Sequence, residues 1–165
     1  MDSNLLSLPN YSSTSRWKYH VFLSFRGEDT RYKFTDHLYT TLVERDIVTF
    51  RDDENLERGK VISPELLKAI EESRFAIVIL SGNYAFSSWC LDELAKIIEC
   101  EKKLGMTVLP VFHYVDPTDV RKQTGTFKKA FDAHKKGFEE KRVKTWIDAL
   151  IHVGNLAGFH LKNIR

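Results

Sequence analysis

The sequence predicts an α/β protein, a flavodoxin-like three-layer fold with a five-stranded parallel sheet in the order 2-1-3-4-5. Three observations carry this. Short apolar or alternating segments recur between stretches of helical periodicity, the pattern of strand–helix units. Phe75 to Leu80 is wholly apolar, as a strand covered on both faces must be. The chain has 165 residues, 42% of them hydrophobic, enough for one domain with a real core.

The elements follow in order. Residues 1–17 are rich in Ser and Asn and read as a mobile tail, so the domain is expected over 18–165. Tyr19 to Phe25 is the first strand, closed by Gly27. A helix from Arg31 to Glu44 places Phe34, Leu38 and Leu42 on one face. Ile47 to Phe50 is the second strand, and the charged stretch 52–60 is a loop able to cover a site beside it. Ser63-Pro64-Glu65 is a helix start: Ser63 caps, Pro64 takes the first helical position, and Glu65 suits the positive end of the dipole. Residues 81–88 form a loop before a helix from Trp89 to Lys103. Thr107 to Phe112 is the fourth strand, and Pro110 within it argues against a central position. A long loop, 113–125, precedes helices near 127–136 and 140–156; Gly158 ends the second, and 159–161 is a last short strand.

In this topology ligands sit beyond the carboxyl ends of strands 1 and 3, here Ser24 to Gly27 and Ser81 to Trp89. On the helix after strand 3, Leu91, Leu94, Ala95 and Ile98 share the stripe that must face the sheet. Trp89 and Glu93 fall together on the other side, away from the core. Periodicity alone leaves two readings of that pair: an indole covering a helix end beside a solvated glutamate, or a site.

Other chemistries fit poorly. A phosphate-accepting receiver domain needs an aspartate where Ser81 stands, and neither GxGxxG nor GxxxxGK[ST] occurs. The six histidines show no ligand spacing, and Cys90 and Cys100 fit no zinc pattern, so no metal is expected. Ser24, Ser87 and Ser88 have no histidine base evident in sequence. There is no apolar run long enough for a bilayer and no secretory leader pattern, so a cytosolic or nuclear location is expected. Net charge is +2, and the lysine-rich stretch 121–144, which also holds Asp132, Glu139 and Glu140, reads as a solvated helical face.

Four segments then carry a family likeness. Residues 19–31 (YHVFLSFRGEDTR), 50–59, 87–94 (SSWCLDEL) and 111–121 (VFHYVDPTDVR) resemble, in order, signatures of plant TIR (Toll/interleukin-1 receptor) domains, and the likeness spans about residues 18–161. The resemblance implies a piece of an immune receptor that also carries nucleotide-binding and leucine-rich-repeat regions. It implies self-association with other TIR domains and cleavage of NAD⁺ or NADP⁺, as substrate rather than cofactor, to nicotinamide and ADP-ribose-type signals. The family's catalytic glutamate falls on Glu93, and its cleft residues on Phe25, Arg26, Ser87 and Trp89. Phe25 is equally open to a core role, and Arg26 to pairing with Glu28 or Asp29. Of the family's self-contacts, one falls on His37, where Asp36-His37 replaces a usual Ser-His pair, and the other on Gly158. Two alternatives stand beside the enzyme: a non-catalytic association module, and a nucleic-acid partner, for which the basic stretch is the support.

Overall fold

The alternation of strand and helix seen in sequence resolves into a single parallel sheet. The computed structural model describes residues 17–52 and 61–162, the Tyr32 side chain aside, so the predicted tail and most of the charged loop lie outside the described residues. The strands are β1 (Tyr19–Ser24), β2 (Thr49–Arg51), β3 (Ser73–Leu80), β4 (Thr107–His113) and β5 (Phe159–Leu161), in the order β2-β1-β3-β4-β5. Each neighbouring pair is parallel, as right-handed helical crossovers require.

The helices are α1 (Gly27–Thr30), α2 (Asp36–Glu44), α3 (Pro64–Glu71), α4 (Ser88–Leu104), α5 (Pro117–Lys122), α6 (Thr126–Gly137) and α7 (Glu140–Gly154). A π-helical turn, Arg31–Thr35, joins α1 to α2. The helical stretch therefore begins four residues before the predicted Arg31, at Gly27. The predicted stripe holds across it, since Phe34, Leu38 and Leu42 all pack on the sheet.

Alternation along β1 sorts the two sides of the core. Val21, Leu23 and Phe25 join Ile79 and Val111 on the α2 face. Phe22 joins Leu66 of α3, Leu91 and Leu94 of α4, Phe127 of α6 and Trp146 of α7 on the other. Ser24 shares the parity of Phe22 and so points toward α4.

Caps account for several boundaries. The Ser63 hydroxyl accepts from the Leu66 amide at 3.2 Å, with Pro64 opening α3 as expected. The same device opens α5, where Asp116 accepts from the Thr118 amide at 2.8 Å and Pro117 is the first helical residue. The predicted long loop 113–125 thus holds a helix.

Two expectations about the β4–β5 edge are corrected. β4 lies inside the sheet, between β3 and β5, despite Pro110. Pro110 is tolerated because β5 pairing starts one residue later, at Val111 opposite Phe159. Gly158 does not end the last long helix, which stops at Gly154 with Asn155 as its cap. Gly158 instead passes over Pro110, where an added Cβ would lie 2.3 Å from the Pro110 carbonyl oxygen. No helix among the described residues is long and apolar enough to cross a membrane.

Candidate functional site

The carboxyl ends of β1 and β3 do face each other. Asp29 of α1 accepts from the Ser81 hydroxyl at 2.5 Å and from the Asn83 amide at 3.1 Å, tying the β1 exit to the β3 exit. After β3, a 3₁₀ turn (Tyr84–Phe86) leads into α4. Ser87 caps α4, its hydroxyl accepting from the Cys90 amide at 3.1 Å. This turn drives the start of α4 into the crevice between the strands.

Glu93 is consequently not on a solvated face. It is 2% exposed, and the expectation that it stands clear of the core is overturned. The buried arc of α4 takes in Cys90, Glu93, Leu94, Ile97 and Cys100, whereas Asp92, Ala95, Lys96 and Glu99 form its outer side, so the expected stripe is set too far round the helix and Glu93 belongs to the packed side. The Ser24 hydroxyl donates to the Glu93 carboxyl at 2.8 Å. Ser24 also lies 2.7 Å from the Tyr84 hydroxyl, which reaches the Cys90 carbonyl at 3.1 Å. Ser24 thus bonds to a tyrosine and a carboxyl rather than to a histidine base. Asp52, the residue after β2, also hydrogen-bonds Glu93. Burial holds the Glu93 carboxyl well above its ordinary range; the Asp52 carboxylate adds to the rise, and the Ser24 hydrogen bond opposes it. This conformation therefore favours the protonated form of Glu93.

Trp89, one helical turn before Glu93, is likewise not clear of the core as expected. It is 8% exposed and belongs to the core on one side. On the other it lines a cleft of about 600 Å³ bordered by Lys18, Tyr19, Phe50, Asp52, Leu66 and Lys68 among others. Its indole N–H donates to Asp52 at 2.7 Å. The Cys90 thiol, one helical turn from Glu93, points at the Phe25 carbonyl at 3.4 Å. Burial pushes that thiol far up, with Glu93 adding to the rise.

The remaining predicted residues are not gathered at this cleft. Phe25 continues the alternation of β1, so its ring is 7% exposed on the α2 face, beneath the Arg31 guanidinium at 5.1 Å. Arg26 pairs with Asp29 at 3.0 Å and Glu28 at 3.1 Å. The Ser87 hydroxyl serves the helix cap. His37 is exposed on α2. Beside it Asp36, the acid in place of serine, pairs with Arg51 at 3.2 Å, and that guanidinium stacks on Tyr39 at 4.2 Å. In the basic stretch, Lys128 and Lys144 pair with acids one turn on, Asp132 and Asp148.

Three members of the site were not singled out from sequence as site residues: Asp52, Tyr84 and, beyond its failure as a nucleophile, Ser24. Strand parity would have found Ser24. Parallel register would have found Asp52, because Leu23 pairs with Arg51 and the next residues on each strand are Ser24 and Asp52.

Comparison with known proteins agrees with this architecture. Residues 18–165 match the TIR domain family. The chain is 54% identical over 163 residues to the disease resistance protein RPV1 of Vitis rotundifolia, covering 99% of this chain and 11% of that protein. It is 53% identical over 149 residues to the TMV resistance protein N of Nicotiana glutinosa, covering 89% of this chain and 13% of that protein. The chain therefore spans a small fraction of the curated relatives it matches. Among solved structures, the TIR domains of the activated Roq1 resistosome, which directly recognises the pathogen effector XopQ, superpose with a TM-score of 0.78 at 51% identity, covering 87% of each chain. The sheet order, the signatures and these matches agree: the chain belongs to the TIR domain family and is similar to the TIR domains of plant disease-resistance proteins.

Proposed function

We propose that this domain cleaves NAD⁺ or NADP⁺ at the nicotinamide–ribose bond, with Glu93 as the catalytic carboxylate, and that it does so in association with further copies of itself. The observation that carries the reading is a glutamate buried at the β1/β3 switch point, bonded by Ser24 and one helical turn from Trp89, which lines the neighbouring cleft.

The chemistry needs little else. As the carbon–nitrogen bond breaks, its electron pair goes to the pyridinium nitrogen, so nicotinamide leaves neutral and needs no general acid. Positive charge builds on the ribose, and an ionised Glu93 stabilises it. A water oxygen then bonds to the sugar carbon and its proton passes to the carboxylate or to solvent. The Trp89 ring offers a face for stacking, and Arg26 serves a phosphate once released from Asp29 and Glu28.

Glu93 must lose its proton for this role, and the resting arrangement opposes that. Moving Asp52 away exposes the carboxyl and removes a neighbouring negative charge. Asp52 opens the charged stretch 52–60, so contacts made by that stretch between copies would govern the site. Assembly and activity are coupled on this reading. A purely associative module is the alternative. Nicotinamide release by the wild-type chain and by Glu93→Gln decides between them. Release that is lost in the variant, with the melting temperature kept, supports the enzyme; equal release from both overturns the assignment.

A further inference from the structure

Glu93 has two kinds of partner. Asp52 lies past the end of an edge strand and bears the same charge. Ser24 and Tyr84 are fully buried, one on the interior strand β1 and the other in the 3₁₀ turn. When Asp52 withdraws, these two remain.

We infer that Ser24 is the positioning residue for Glu93, and that the Tyr84 hydroxyl orients Ser24 in turn. This rests on the reading of Glu93 as the reacting carboxylate.

An ionised Glu93 accepts hydrogen bonds and offers none. Ser24 has a single proton and stands 2.8 Å from Glu93 and 2.7 Å from Tyr84. It can serve the carboxylate only by donating to it, so the contact with Tyr84 is made by the Tyr84 proton, which then turns from the Cys90 carbonyl at 3.1 Å to Ser24 at 2.7 Å. Burial holds the Tyr84 hydroxyl well above its ordinary range, so it keeps that proton. The line Tyr84 to Ser24 to Glu93 is then aligned for a negative charge in a dry pocket, where such bonds are strongest. The Ser24 bond draws the Glu93 carboxyl down, against burial and Asp52. The titratable groups around Glu93 are Asp52 just after β2, Tyr84 from the 3₁₀ turn and Cys90 from α4 itself; Arg26, after β1, acts on Cys90. The Ser24 hydroxyl and the Trp89 indole favour the ionised state.

The test uses the full chain with ¹³C-labelled glutamate side chains. The Glu93 carboxyl signal is assigned by its loss in Glu93→Gln and titrated by NMR, alongside nicotinamide release. Ser24→Ala is expected to raise the titration midpoint. It is expected to move the acid limb of the release profile the same way and to lower kcat about tenfold, the effect of losing one hydrogen bond to a charged group, with KM nearly unchanged. Tyr84→Phe, which keeps the ring, should shift the midpoint in the same direction by less. A packing defect alone would lower the melting temperature and leave the midpoint in place, and that result overturns the inference. Should Ser24→Ala fail to fold, Tyr84→Phe decides by the same midpoint. Should the wild type release no nicotinamide, the proposed activity fails, while the carboxyl titration still accepts or rejects the link from Ser24 to Glu93.

Discussion

The indole N–H of Trp89 donates to Asp52 at 2.7 Å and fixes that carboxylate beside Glu93. Three side chains, two from α4 and one from the residue after β2, therefore meet around one buried carboxyl. Two carboxyls at this range cannot both ionise cheaply in a dry pocket, so one holds a proton for the pair. The more buried Glu93 is the one raised.

Removing the Asp52 charge tests this directly. Asp52→Asn keeps an acceptor for Trp89 and takes away the repulsion on Glu93. The acid limb of nicotinamide release is expected to move toward lower pH. Where release is limited by ionisation, each unit of that movement is worth about tenfold in rate. The pH profile of the variant checks it; an unmoved limb would show that Asp52 does not control the proton.

Stability should carry the same signature. The Glu93 carboxyl sits above its ordinary value of 4.5 in the folded chain, so the folded state binds more protons than the unfolded one above that pH. The contribution is complete below the unfolded value and is lost as pH rises toward the folded one. Glu93→Gln, which cannot titrate, should therefore gain on the wild type as pH rises from acid to neutral. Thermal melts across that range give the comparison, and parallel curves would sink the expectation.

Gly158 bears on how interface variants are read. Its Cα passes so close to Pro110 that a side chain must push β4 and the start of β5 apart. Gly158→Ala should cost about 2 kcal/mol, as overpacking does, and Gly158→Arg more. Denaturant unfolding measures it. A Gly158→Arg variant as stable as wild type would leave self-contact as the glycine's sole role.

Assembly gives the last expectation. His37 is exposed beside the Asp36–Arg51 pair, so His37→Ala should leave the melting temperature within a degree or so, as surface changes do. If contact between copies moves Asp52, release per molecule should rise steeply over about a hundredfold range of concentration, and more weakly in His37→Ala. Light scattering follows the association. Activity flat with concentration would mean a site already open in the single domain.

Much of the architecture was legible because it rests on local chemistry. Phe75 to Leu80 announced a buried strand, and Ser63-Pro64 announced a helix start. The same cap-and-proline signal at Asp116-Pro117 marked α5, but a stretch of only six helical residues shows too little periodicity to stand out. The expected stripe on α4 misplaced Glu93, because Leu91, Leu94, Ala95 and Ile98 mark only one flank of a wide buried arc whose other flank holds Cys90, Glu93, Ile97 and Cys100. A helical wheel built on the most apolar residues does not show how far round the helix the packing extends. Phe25, which the resemblance puts at the cleft and which was equally open to a core role, lies in the core because strand parity turns its ring to the α2 face. Asp52 required pairing register between β1 and β2, which depends on the whole sheet.

The two cysteines, neither in a disulfide and both buried, stand toward opposite ends of α4. Thiols react as thiolates, and Cys90 is held far from that form by its surroundings. An alkylating reagent should therefore find Cys90 only in molecules whose site end has opened, and Cys100 only in molecules whose distal core has come apart. The helix carries its own pair of chemical clocks. The ratio of their labelling rates separates a local opening around Glu93 from global unfolding, without a single residue being changed.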